Sequence, residues 1–228
     1  MFLADVIDNA LGNSFQEIDE HIKCQYKTIS CDELFQAYMK FCECLKNRLG
    51  SDEHFSGFSE SLLFRVMYHK IATERGITFE KVPYKNAPER FRKAVFSAHK
   101  IDLELAQNRH IPLPAIGKRA FCVPDISLCV SGELIGALEV KTYPAFGQMT
   151  IAKLFDDYSK KVRRQFARAA VLLIIYHKPP VAVREPVLIT KLTEYTATSK
   201  GWFSYIFLEG SEEPFDAVLN NFLCKINI

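Results

Sequence analysis

Residues 119–143, RAFCVPDISLCVSGELIGALEVKTY, constrain the fold more than any other stretch of this chain. Two apolar runs, 121–130 and 134–142, flank Ser131, Gly132 and Glu133, and that spacing predicts two strands joined by a tight turn. Strand alternation puts Ile135, Ala137, Glu139 and Lys141 on one face, and Leu134, Gly136, Leu138 and Val140 on the other. With Val130 opposite Leu134, Asp125 falls across from Glu139. A tighter turn shifts the register by one residue and still leaves the two carboxylates on neighbouring strands. Two acids and a lysine on a half-buried sheet are costly unless something pairs with them, and a divalent cation is the partner that suits them. The competing arrangement is a partly buried Asp125–Lys141 salt bridge with Glu139 facing solvent.

Composition adds limits. The chain has 228 residues, 48% hydrophobic and 25% charged, enough for one full core with a helical appendage and unlike a disordered segment. A net charge of +2 gives too weak a field to diagnose a nucleic-acid partner, so any electrostatic case rests on local clusters. There is no apolar run of transmembrane length, and MFLADVIDNALG carries acids where a signal peptide carries lysine or arginine, so an intracellular, cytoplasmic protein is expected. Seven cysteines, an odd number set mostly in apolar patterns, read as reduced core thiols. Only Cys42 and Cys44 are close, and that spacing on a helix points two thiols apart, against a zinc site.

Residues 1–56 read as helical, with Phe35, Tyr38, Met39 and Cys42 at helical spacing. A second helix runs from about Ser56 to Arg75, capped by Ser56 or Ser59, and Glu60 in its first turn suits the helix dipole. Residues 77–84 alternate as a strand that Pro83 ends or places at an edge. Residues 86–107 read as a basic helix carrying Arg90, Arg92, Lys93 and Lys100, and 108–118 as a proline-interrupted loop. A long helix over 150–169 has one apolar stripe and an opposite face of Lys160, Lys161, Arg163, Arg164, Gln165 and Arg168. VLLIIY at 171–176 predicts a strand buried on both faces beside the hairpin. Residues 187–198 fit helix or strand, 201–208 a strand, and 213–226 a terminal helix.

The order helix, strand, hairpin, helix, buried strand, with Pro124 and Asp125, thirteen intervening residues, then Glu139-Val140-Lys141, resembles the PD-(D/E)xK nuclease superfamily over residues 57–178. The resemblance implies an α/β fold with a restriction-endonuclease-like core: a helix, a mixed central sheet carrying the catalytic hairpin, and flanking helices. Residues 1–56 would be an added helical region packed on a core of 57–228, with a helical insertion at about 86–118. Asp125, Glu139 and the Val140 carbonyl would hold Mg²⁺ or Mn²⁺, which needs only one or two carboxylates besides water and phosphate. Lys141 would orient or deprotonate the attacking water, or neutralise the phosphorane. Glu60 stands where superfamily members often have a further acid, and Gln165 or Lys161 where many carry a glutamine or lysine near the site. Lys160, Lys161, Arg164, Gln165 and Arg168 would meet a phosphate backbone, unless they are simply the solvated face of an amphipathic helix. His69 and His110 are conceivable metal ligands by analogy with cap-snatching members, though a structural histidine is the simpler reading of His69. The activity implied is a metal-dependent DNA endonuclease of restriction or defence type, possible as a homodimer. The alternatives are an inactive nucleic-acid-binding or interaction module on the same fold, and an RNA-directed nuclease.

Overall fold

In the computed structural model, which describes residues 15–49, 56–75, 79–84, 87–98, 101–142, 148–178 and 185–228, three helices come first. They are α1 (Phe15–Gln25), α2 (Cys31–Leu49) and α3 (Ser56–Arg75). The strands β1 (Phe79–Tyr84), β2 (Ala87–Ala98), β3 (Ile101–Gln107), β4 (Ile111–Pro112), β5 (Phe121–Cys122), β6 (Ile126–Val130) and β7 (Glu133–Lys141) follow. Then come α4 (Gln148–Asp157), a π-helical turn (Tyr158–Val162), the short α5 (Arg163–Gln165), β8 (Ala170–Ile175), α6 (Glu185–Thr198), β9 (Phe203–Phe207) and α7 (Phe215–Lys225). Among the described residues no helix is long and apolar enough to cross a membrane.

The main sheet is mixed, in the order β1-β2-β3-β6-β7-β8-β9. Strands β1 to β7 pair antiparallel, and β7–β8 and β8–β9 pair parallel. A parallel neighbour needs a crossover, which α4 and α6 supply. All six residues of β8 are buried, as its unbroken apolar run requires. One sheet face packs with α1, α2, α3 and α7 through residues such as Ile22, Tyr38, Leu62, Leu128, Leu138, Leu172 and Phe222. The other buries Leu113, Leu134, Ala137, Tyr158, Leu173 and Leu192. The residues of α1 and α2 thus share one apolar cluster with the sheet.

The described residues of 86–107 depart from the helical expectation: Ala87–Ala98 form β2 and Ile101–Gln107 form β3, so among the described residues that part of the expected insertion is not helical. The sequence Ile101-Asp102-Leu103-Glu104-Leu105 alternates strictly, and Leu103 and Leu105 are buried while Asp102 is exposed. Period two had to outweigh the basic composition that suggested a helix. The Lys93 ammonium lies 2.6 Å from Glu104 across the β2–β3 ladder. The expected strand over 121–130 is also interrupted. Phe121 and Cys122 pair with β4, and Pro124, which has no N–H to donate, separates them from β6. The ambiguous stretch after Pro179-Pro180 is helical in α6.

The hairpin closes through Ser131 (φ 51°) and Gly132 (φ 82°), a two-residue turn with both central residues left-handed, as type I′ requires. Val130 therefore pairs with Glu133, one residue tighter than an opposition of Val130 and Leu134. A bulge at Ile135 then restores the wider register, and Ile126 stands opposite Leu138. The bulge corrects the face assignment at two positions: Leu134 joins the cluster containing Ala137, and Ile135 packs with Leu138 and Val140.

Gly136 lies where the sheet touches α7. A methyl group there would stand 3.0 Å from Ile226 Cδ1, 3.0 Å from Phe222 Cζ and 3.3 Å from Leu128 Cδ1. Gly136→Ala is expected to lower the unfolding free energy by about 1–3 kcal/mol through overpacking, read from urea denaturation. A deeper polar contact ties α3 to α7: the fully buried Lys70 ammonium lies 2.8 Å from Glu74 and 2.7 Å from Asp216.

Candidate active site

Asp125 stands in the break between β5 and β6, directly after buried Pro124. Its backbone carbonyl accepts the Asn108 N–H at 3.1 Å, which brings the end of β3 against the start of β6. Its Oδ2 accepts the Val140 N–H at 2.6 Å and lies 3.5 Å from Lys141 Nζ. Oδ1 accepts no hydrogen bond among the described residues. Because a strand residue's N–H and C=O point the same way, the Val140 carbonyl faces this side too, while the Lys141 carbonyl turns to β8 and accepts the Tyr176 N–H at 2.8 Å.

Glu139 is near the C-terminal end of β7, in register with Leu173 of β8, and is only 7% exposed. The partly buried Asp125–Lys141 pair of the competing arrangement is present, but Glu139 is buried and does not face solvent. Its Oε1 accepts the Tyr158 hydroxyl at 2.6 Å, and its Oε2 lies 3.5 Å from Lys141 Nζ. Asp125 and Glu139 therefore converge on one ammonium. Burial, followed by the Asp125 charge, raises the Glu139 pKa to about 7, against the opposing pull of Lys141 and the Tyr158 hydroxyl. Tyr158 is itself pushed well above its ordinary value by burial and by Glu139.

Glu60 belongs to this neighbourhood. It is the fifth residue of α3, past a first turn that holds no acid, so the helix dipole does not account for it. Asn108 Nδ2 donates to Glu60 Oε2 at 3.0 Å. Burial and then the Asp125 charge raise the Glu60 pKa, while the Asn108 bond and Lys141 lower it, so the three charged groups sense one another. Cys122 is pushed up to about 11 by burial and by Glu139.

Asn108 and Tyr158 are absent from the sequence-based site. Asn108 has φ 48°, a left-handed conformation that asparagine tolerates, and its place at the head of the proline-interrupted loop was the available signal. Tyr158 reads from sequence as one apolar position of a helical stripe, and nothing in the pattern reveals where its hydroxyl goes.

Other expected site residues lie apart. Lys161 is paired with Asp157 at 2.5 Å, and Gln165 accepts the Ala115 N–H at 3.0 Å, so neither touches the carboxylates. Lys160 is paired with Asp156 at 2.8 Å, and Arg164 and Arg168 are exposed. His69 Nε2 lies 2.7 Å from Asp19 Oδ1, and Asp19 also holds Arg65, which makes His69 a structural histidine. The His110 ring packs on Phe121. None of the seven cysteines is in a disulfide; Cys31 and Cys129 are buried, whereas Cys24 and Cys224 are exposed rather than core.

Among the described residues no group of three or more His, Cys, Asp or Glu side chains forms a metal cage. Asp125, Glu139 and the Val140 carbonyl would offer a smaller set, of the kind Mg²⁺ or Mn²⁺ accepts when water and substrate oxygens complete it. No protein-family model matches the chain, and no curated protein matches it significantly.

Proposed function

We propose that this chain is a metal-dependent nuclease of the PD-(D/E)xK type, with a DNA endonuclease of restriction or defence type as the leading reading. The observation that carries the proposal is the convergence of Asp125 and Glu139 on the Lys141 ammonium, 3.5 Å from each. A position between two carboxylates that accommodates one cation is suited to a second. The element order supports the same reading: α3, the antiparallel β3–β6–β7 set, α4 and the parallel β8 come in the order that the resemblance implies.

Asp125, Glu139 and the Val140 carbonyl would hold Mg²⁺ or Mn²⁺, which when bound polarises a phosphodiester and acidifies water. The chain's own contribution is positional. The Val140 N–H fixes the Asp125 carboxylate, and β7 holds Glu139 and Lys141 on one face two residues apart. Lys141 is placed to orient a water, or to place positive charge where the phosphorane develops it. Glu60, held by Asn108, adds a third carboxylate within electrostatic reach. Exposed Arg164 and Arg168, with Lys160 and Lys161, supply backbone contacts.

A second reading, an inactive nucleic-acid-binding or interaction module on the same fold, is favoured by the small donor set and by the ammonium already present between the acids. Calorimetric titration with Mn²⁺ separates the two. The native chain is expected to bind and Asp125→Ala to lose that heat; a native chain with no binding heat speaks for the inactive module. Parallel cleavage of DNA and RNA distinguishes the DNA-directed enzyme from an RNA-directed one.

A further inference from the structure

We propose that Tyr158 is a positioning residue of this site, whose hydroxyl selects the Glu139 oxygen that is presented to a cation. The proposal rests on the metal-dependent nuclease reading. The terminal torsion of a glutamate is broad and nearly two-fold, so a strand position alone does not decide which oxygen faces the Asp125 side. In this site the two oxygens are not equivalent. Oε1 accepts the Tyr158 hydroxyl at 2.6 Å, a length typical of a charge-assisted O–H···O bond, and Oε2 is directed to Lys141. The Tyr158 residue is 4% exposed, in the same apolar cluster as Val162, Val171 and Leu173, so its hydroxyl is held by packing and not by chance.

The backbone supports the same role. Tyr158 opens the π-helical turn, and the Arg163 N–H reaches back five residues to the Tyr158 carbonyl. Such turns interrupt α-helices frequently at functional sites. In this turn Tyr158 and Val162 face inward, while Lys160 and Lys161 face solvent and pair with Asp156 and Asp157. With Oε1 engaged by the Tyr158 hydroxyl, Oε2 is the oxygen that Glu139 would offer to a cation, from a carboxylate already held in place. Partners that orient a ligand in this way change metal affinity by about 10–100-fold when removed.

Tyr158→Phe tests this, since it keeps the ring and deletes the hydroxyl. Three measurements are compared with the native chain and with Asp125→Ala: thermal melting without metal, Mn²⁺ titration by calorimetry, and cleavage rate against Mn²⁺ concentration. The expected result is a cooperative melt, Mn²⁺ affinity weakened about 10–100-fold, and a rate restored to near native at saturating Mn²⁺. Native Mn²⁺ affinity in Tyr158→Phe overturns the proposal while leaving the nuclease reading intact. A rate that saturating Mn²⁺ does not restore, or a lost melt, makes the hydroxyl structural and also overturns it. If native chain and Asp125→Ala alike give no binding heat, the nuclease reading fails and the proposal falls with it.

Discussion

Lys141→Ala is expected to reduce Mn²⁺-dependent cleavage by about 10²–10⁴-fold, the range of a positioned proton-transfer or charge-stabilising group. Its ammonium lies 3.5 Å from both Asp125 Oδ2 and Glu139 Oε2, and its side chain is about one-fifth exposed, so it reaches the carboxylates and the solvent side together. Deleting it takes positive charge away from two acids that repel each other. Mn²⁺ binding should therefore be retained or tightened, because the competing cation is gone, while the rate falls. That split distinguishes a chemical role from loss of the site. Lys141→Arg should not recover the rate, since a guanidinium neither gives up its proton nor matches the shape of an ammonium. Single-turnover cleavage with native, Lys141→Ala and Lys141→Arg chains measures the effect. An unchanged rate in Lys141→Ala would remove lysine from the mechanism.

Glu139→Gln should make the metal-free protein more stable at pH 8 by about 3 kcal/mol and leave it unchanged near pH 4. The sign follows from the proton count. Burial and the Asp125 charge lift the Glu139 pKa from 4.5 to about 7, so between those values the folded chain keeps a proton that the unfolded chain has released. Stability contributed by the neutral carboxyl is complete below the lower value and is lost as pH rises through the higher one. Glutamine retains an acceptor for the Tyr158 hydroxyl and never acquires the charge. Urea denaturation of both chains at several pH values isolates this group, because other titrations cancel in the difference. Mn²⁺ should narrow the gap at pH 8 by stabilising only the native chain through binding to the folded state. Equal stabilities at pH 8 would mean that Glu139 titrates as an ordinary surface carboxyl.

Much of the arrangement was legible in the sequence because the strongest signals there are local. The apolar run at β8, a tight turn within Ser131–Glu133 and the pairing of β6 with β7 all follow from alternation and turn chemistry over short spans. The expected register holds from Leu128 back to Ile126 but not at the turn, where the chain turns one residue tighter and a bulge returns the residue. Alternation alone does not foresee a bulge, so Leu134 and Ile135 were placed on the wrong faces. β2 and β3 were missed because basic residues masked a period-two pattern. Glu60 has two readings in the sequence, a further acid of the site and a dipole-favoured acid in a first turn, and its place in α3 removes the second. Tyr158 and Asn108 were beyond the reach of pattern reading, since each reaches the site across a long sequence separation, Tyr158 to Glu139 over 19 residues and Asn108 to Glu60 over 48.

The most direct measurement is cleavage of supercoiled plasmid, linear duplex and RNA by the native chain with Mn²⁺, alongside EDTA and Asp125→Ala controls. The account predicts nicked or linearised plasmid from the native chain with Mn²⁺, and intact plasmid in both controls. No cleavage of any substrate by the native chain, or cleavage that survives Asp125→Ala, would contradict it.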